Sequence, residues 1–131
     1  MHLELVTIVV DEYDPAVEFF VGVLGFELVE DSPSTTSVGG RAKRWVVVRA
    51  PGARTGILLA QADGERQRAG VGEQAAGRVG FFLRVEDFDS AYRRLVAHSV
   101  VIEESPRVEA YGKIVVFRDI AGNRWDLLGP A

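Results

Sequence analysis

The sequence predicts an α+β chain made of two tandem β-α-β-β-β modules. Three observations predict it. The chain repeats itself: VVDEYDPAVEFFV (Val9–Val21) and RVEDFDSAYRRLV (Arg84–Val96) superpose without a gap, Asp14 meeting Asp89 at an offset of 75 residues. Each copy opens on a run rich in β-branched and aromatic residues, LELVTIVV or VGFFLRV, followed by acids and then by apolar residues at helical spacing. Three further strand-like runs close each copy, with short Gly-bearing turns, PGARTG and DIAGN, of the kind that hairpins need.

Taken in order, LELVTIVV is the opening strand of the first module. Asp14 then reads as a helix N-cap with Pro15 at the first helical position, where its missing N–H costs nothing. AVEFFVGVLG places Val17, Phe20, Val21 and Leu24 on one stripe, and Gly25 ends the helix. FELVE, RWVVVRA and TGILLAQ are the remaining strands. In the second module VGFFLRV leads to a helix starting at Asp89-Ser90, with Ala91, Leu95 and either Val96 or His98 on its inner side. VVIEE, KIVVFRD and RWDLLG follow as strands. EDSP (Glu30–Pro33) and EESP (Glu103–Pro106) extend the repeat. The expected organisation is one domain over residues 1–131, with modules at 1–61 and 79–131 and a polar, Gly/Ala-rich linker at 62–78. DSPSTTSVGGRAK (Asp31–Lys43) reads as a long hairpin loop, with linker and binding-site roles both open.

Composition narrows the function. A chain of 131 residues with 47% hydrophobic content suits one globular domain. No apolar run approaches the ~20 residues of a membrane span. The start, MHLELVTIVVDEYD, has neither the basic region nor the cleavage site of a signal peptide. With no cysteine there are no disulfides and no thiolate metal sites, and the expected compartment is the cytoplasm. The net charge of −4 argues against nucleic acid as a partner. RAKR (Arg41–Arg44) and Arg93-Arg94 read as solvated surface.

The phrases DPAVEFFVGVLGFELVED and YGKIVVFRDIAGNRWDLLGP, set in a doubled unit, resemble the vicinal oxygen chelate superfamily. That group includes glyoxalase I, bleomycin-resistance proteins and extradiol dioxygenases. The resemblance implies a glyoxalase-like fold, in which each module curves a mixed sheet into a cup, helices cover the convex side, and paired cups enclose a ligand cavity. It also implies a homodimer. Catalytic members hold a divalent metal with inward-pointing His or Glu from the first and last strands of each module. Carried onto this chain, those positions are Leu5, Gly80, Leu58 (or Ile57 if the turn is aligned without a gap) and Asp126. Only Asp126 bears a donor, and one carboxylate does not hold a metal. The expectation is therefore no metal and no cofactor. A site rebuilt from His2, Glu4 and Asp126 would need a slipped first strand, because Glu4 points to the other face from Leu5. His98 reads as a cation at a helix C-terminus.

Alternation gives the expected walls of the cup. If Val6, Ile8 and Val10 pack under one helix, Leu5, Thr7 and Val9 face inward; if Phe81, Leu83 and Val85 pack under the other, Gly80, Phe82 and Arg84 do. Asp126 and Leu128 join from the last strand, Leu58 from its counterpart, and Trp45 and Tyr111 form aromatic rims. Gly80 is expected to leave room for a bulky group. Asp126 is the one residue read as a catalytic candidate, by acid/base chemistry in a partly apolar cavity; its structural alternative is an ion pair with Arg124 or Arg84. The function read from these residues is binding of a small, partly apolar molecule, such as an antibiotic or metabolite, with no nucleic-acid or membrane partner. The alternatives are a lyase, isomerase or dioxygenase of the same superfamily, metal-dependent or acid/base, and a non-catalytic scaffold.

Overall fold

The computed structural model describes residues 1–34 and 42–131, so the centre of the loop expected over 31–43 lies outside the described residues. The chain forms two compact units, Met1–Val71 and Gly72–Ala131, each built on one mixed four-stranded sheet. In the first, β1 (Leu5–Val10) runs parallel to β4 (Gly56–Gln61), and β3 (Arg44–Arg49) joins β4 to the edge strand β2 (Glu27–Pro33) by antiparallel pairing. In the second, β5 (Val79–Arg84), β8 (Arg124–Gly129), β7 (Gly112–Arg118) and β6 (Arg107–Glu109) repeat that order. The first and second strands of each unit run the same way at opposite edges, so the chain must cross the sheet between them, and a helix makes the crossing. The architecture is a tandem pair of βαβββ-like modules.

Period-two alternation selects which face the helix covers. Ile8, Val10, Val46, Val48 and Leu59 are completely buried on one face of the first sheet. That face lies under α1 (Tyr13–Val17) and its continuation, a π-helical turn over Glu18–Val23. In the second unit Val115, Phe117, Trp125 and Leu127 are buried on the face covered by α3 (Phe88–Ala97). Phe81 and Phe117 stack on the Trp125 ring, with centroids 4.7 and 5.7 Å away. Each such side chain contributes roughly 1.5–3 kcal/mol by leaving water.

Several local expectations are corrected. The helices start earlier than Asp14 and Asp89: the caps are Glu12 and Asp87, and the Asp87 side chain accepts from the Ser90 N–H at 3.0 Å. Asp14 and Asp89 sit in the first helical turn, where each is tied to the third strand of its own unit. Arg44 Nη1 donates to Asp14 at 2.8 Å, and Lys113 Nζ donates to Asp89 at 2.9 Å. Arg44 also donates to Asp31 at 2.7 Å and stands over the Tyr13 ring, so it is a structural cation and not solvated surface. The inner stripe of the first helix shifts as well. Leu24 donates to the carbonyl of Phe19, five residues back, and this wider turn buries Phe19 beside Phe20 while Val17, Val21 and Leu24 stay half-buried. Gly25, at φ 82°, ends the element.

VVIEE does not form the expected strand. It makes an isolated bridge, Ile102 to Phe117, and the ladder of β6 begins at Arg107. Pro106, just before that ladder, has no N–H to give to it. The linker at 62–78 is not uniformly irregular either, since Glu65–Gly70 forms a short helix, α2.

The β7–β8 turn is organised by Asp119, which is buried. Its Oδ1 accepts from the N–H groups of Ala121 and Asn123 (both 2.9 Å), and its Oδ2 accepts from Asn123 Nδ2 (3.2 Å) and Trp125 Nε1 (2.9 Å). Asp119→Ala strands buried donors on Asn123 and Trp125, each costing about 1–3 kcal/mol. The expected outcome in urea denaturation is a loss of about 3 kcal/mol, and Asp119→Asn should lose less.

Candidate functional site

The sheet face opposite the helix differs between the two units. In the second, Phe82 pairs with Asp126 and Asp126 with Val116, so these three form one row across the sheet. Arg84, Leu128, Ile114 and Arg107 form the neighbouring row. Phe82 is 64% exposed, whereas Asp126 is only 9% exposed. In the first unit the corresponding row is Thr7, Leu58 and Val47. Thr7 and Phe82 are 75 residues apart, matching the repeat. This register makes Leu58, and not Ile57, the counterpart of Asp126; Ile57 pairs with Val48 on the buried face.

Each residue named from the sequence now has a place. Leu5, Thr7 and Leu58 share the face opposite α1, and Trp45, two residues before Val47, shares it too. Phe82, Arg84 and Asp126 share the face opposite α3. Tyr111 stands exposed at the β6–β7 turn, outside that row. Gly80 is the extra residue of a bulge between Val79 and Phe81. A Cβ there would lie 3.1 Å from the Cβ of Ala75, so Gly80 leaves no room for a bulky group: Ala75 already fills the space.

Asp126 pairs with neither arginine proposed for it. Arg124 donates from Nε and Nη2 to Glu103 at 2.9 and 3.1 Å, and from Nη1 to the Gly77 carbonyl at 3.0 Å. Among the described residues no group donates a hydrogen bond to Asp126. Burial pushes its carboxyl pKa up, while the charges of Arg107 and Arg124 pull it back. The opposite holds at Glu103, whose pKa is lowered by the Arg124 hydrogen bonds.

Two concavities lie beside these rows. One, of about 310 Å³, is lined in the first unit by Trp45, Leu58, Tyr13, Lys43, Gln61 and Gln67 among others. The other, of about 240 Å³, lies in the second unit and contains Arg78, Arg118, Arg124 and Glu103. Sequence reasoning missed this arginine group. Its signal was the alternation in KIVVFRD, which sets Arg118 on the same face as Ile114 and Val116.

The described residues contain no group of three or more His, Asp or Glu arranged to hold a metal ion. His2 is engaged with Glu4 (2.9 Å) and Arg54 (3.2 Å), and His98 bonds through Nδ1 to the Arg94 carbonyl at the end of α3. At the four strand positions where the superfamily resemblance expects ligands, Leu5, Gly80 and Leu58 have no donor side chain and Asp126 alone carries one.

Comparison with known proteins supplies the family. Residues 2–127 match the model of the Glyoxalase/Bleomycin resistance protein/Dioxygenase superfamily. An uncharacterized protein of Shewanella frigidimarina (strain NCIMB 400) is 40% identical over 124 residues, 94% of this chain and 89% of that protein. Among solved structures, TnmS3, an antibiotic binding protein from Streptomyces sp. CB03234, aligns with a TM-score of 0.77 at 26% identity, covering 100% of this chain and 97% of that one. A glyoxalase/bleomycin resistance protein from the same strain aligns at 0.72 and 26% identity, covering 97% and 99%.

The two carboxyl shifts have opposite consequences for stability. Asp126, with a raised folded pKa, penalises folding when ionised; the penalty shrinks as pH falls below that pKa and is gone below the unfolded one. Glu103, with a lowered folded pKa, contributes stability above its unfolded pKa and loses it as pH falls through its folded one. Carbon-13 titration of the carboxyls should place Asp126 above and Glu103 below the ordinary range. Asp126→Asn should raise the Tm of the unliganded protein at neutral pH, with a gain that shrinks on acidification.

Proposed function

The chain belongs to the Glyoxalase/Bleomycin resistance protein/Dioxygenase superfamily, and within it we propose that this member binds a small, partly apolar molecule without a divalent metal. The observation that carries the reading is Asp126: a carboxylate buried to 9% exposure, receiving no hydrogen bond from the described residues, set between Val116 and the exposed ring of Phe82. Partial desolvation already raises the pKa of this carboxyl, and a bound hydroxyl or amine that hydrogen-bonds it offsets the lost hydration while the rest of the ligand covers Phe82. An apolar surface with a few placed polar groups is how small-molecule sites are built. The recess with Trp45, Leu58, Gln61 and Gln67 offers the same mixture in the first unit. The likeness to an antibiotic binding protein supports an antibiotic as the class of ligand, and the exposed Phe82 and Trp45 rings suit a partly aromatic one. The proposed contacts are taken unit by unit: Phe82, Arg84 and Asp126 on the open face of the second sheet, and Leu5, Thr7, Trp45 and Leu58 on that of the first.

A second copy of this chain is the proposed partner. The edge strands β2 and β6 carry exposed Leu28, Val29 and Val108, which an edge in water ordinarily does not keep. A second reading, acid/base turnover through Asp126, is favoured by its raised pKa. It separates from binding by product formation that disappears in Asp126→Asn.

A thermal-shift screen of aromatic antibiotics and metabolites, with and without chelator, tests the proposal. A ligand of the folded state raises Tm by mass action, about 2.7 kcal/mol at a hundredfold excess over Kd. The expected result is a shift that chelator leaves unchanged and that Phe82→Ala and Asp126→Asn both reduce. A stoichiometric transition metal that is lost on Asp126→Ala would overturn it. Light scattering on the eluting protein should give twice the 14.3 kDa chain mass.

A further inference from the structure

We infer that the pocket enclosed by residues 72–78 and the β7–β8 turn is a binding site for a small oxyanion, a carboxylate or phosphate. Three guanidinium groups, Arg78, Arg118 and Arg124, meet there with two carboxylates, Glu73 and Glu103. The local balance is one positive charge, in a chain whose net charge is −4.

The hydrogen bonds divide the three arginines by role. Arg124 is held by both oxygens of Glu103 and by the Gly77 carbonyl, which occupies its Nε and both Nη groups. It is a strut. Arg118 approaches Glu103 through Nε alone, at 3.2 Å, and its two Nη groups meet no acceptor among the described residues. The Arg78 guanidinium meets none there either. Two guanidiniums with unused N–H groups thus line one concavity, and an oxyanion placed between them takes paired N–H···O bonds from both.

Shape supports the same occupant. Part of the wall is fixed, because Gly72 (φ 77°) passes so close to the Ala121 carbonyl that no side chain fits. The volume, about 240 Å³, is below the ~300 Å³ at which pockets begin to hold whole drug-sized molecules, so the site suits one charged group. Arg124 and Asp126 lie two residues apart on one face of β8, about 7 Å along the strand. A ligand of the kind proposed above would therefore present a hydrogen-bond donor to Asp126 and an acid to the arginines. That last step rests on the proposed function; the anion pocket itself does not.

The test is amide chemical-shift titration of the full chain at constant ionic strength, with inorganic phosphate and with phenyl phosphate as probes. Both should move the amides of Gly77, Arg118 and Gly122. Arg78→Gln with Arg118→Gln should weaken binding by roughly tenfold or more, the value of one or two lost charge-assisted bonds, while Arg93→Gln on α3 leaves it unchanged. Equal affinity for the two probes identifies a site for the free anion. Tighter phenyl phosphate binding, with shifts reaching Phe82, identifies the acid end of a larger ligand. No movement of those amides with either probe, or an equal loss in Arg93→Gln, overturns the inference. If neutral aromatic compounds still raise Tm in that case, only the anion pocket has failed and the proposed function stands.

Discussion

The parallel pairing of β5 with β8 is the constraint on which the rest depends. It sets Phe82 opposite Asp126 and Phe81 opposite Trp125, so one strand feeds two environments. Toward α3, Phe81, Trp125 and Phe117 stack into a core; on the other face stands a carboxylate among apolar neighbours. Because side chains alternate with period two, a slip of one residue would drive Asp126 into the aromatic stack and expel Trp125. The indole N–H adds a lock within the β7–β8 hairpin, donating to Asp119 at 2.9 Å and so holding Trp125 on the face opposite Asp126. The position of Asp126 is thus fixed by groups on the opposite side of the sheet.

The duplicated scaffold has diverged in what it presents. The row Thr7–Leu58–Val47 and the row Phe82–Asp126–Val116 occupy the same places in the two sheets, yet only the second holds a charge. The ties that hold the helices have diverged less: Arg44 to Asp14 in one unit is Lys113 to Asp89 in the other. Exposed ion pairs of this kind contribute under about 1 kcal/mol each. Their value is geometric, fixing where each helix starts over its sheet. The arginine pocket has no counterpart in these ties, because it is formed by residues 72–78 lying against the β7–β8 turn of the second unit.

Much of this was legible in the sequence, for a physical reason. Alternation and the 75-residue repeat report burial directly, so strand faces, module order and the common face of Phe82, Arg84 and Asp126 follow from residue type. What escaped depends on partners distant in sequence. Asp14 and Asp89 look like caps, and only the folded position of Arg44 and Lys113 assigns them to ion pairs. A π-helical turn leaves no mark in AVEFFVGVLG beyond two adjacent Phe residues that both become buried. Gly80 reads as empty space until residues 72–78 bring Ala75 onto it. Arg124 beside Asp126 suggests a pair, whereas Glu103, 21 residues away, takes that guanidinium instead.

A crystal structure of the protein with the compound that stabilises it most measures the central claim directly. The account predicts an aromatic part of the compound against Phe82 and Val116, and a hydroxyl or amine within about 3 Å of the Asp126 carboxylate. A compound seated elsewhere with Asp126 untouched, or a metal ion held by Asp126, would contradict it.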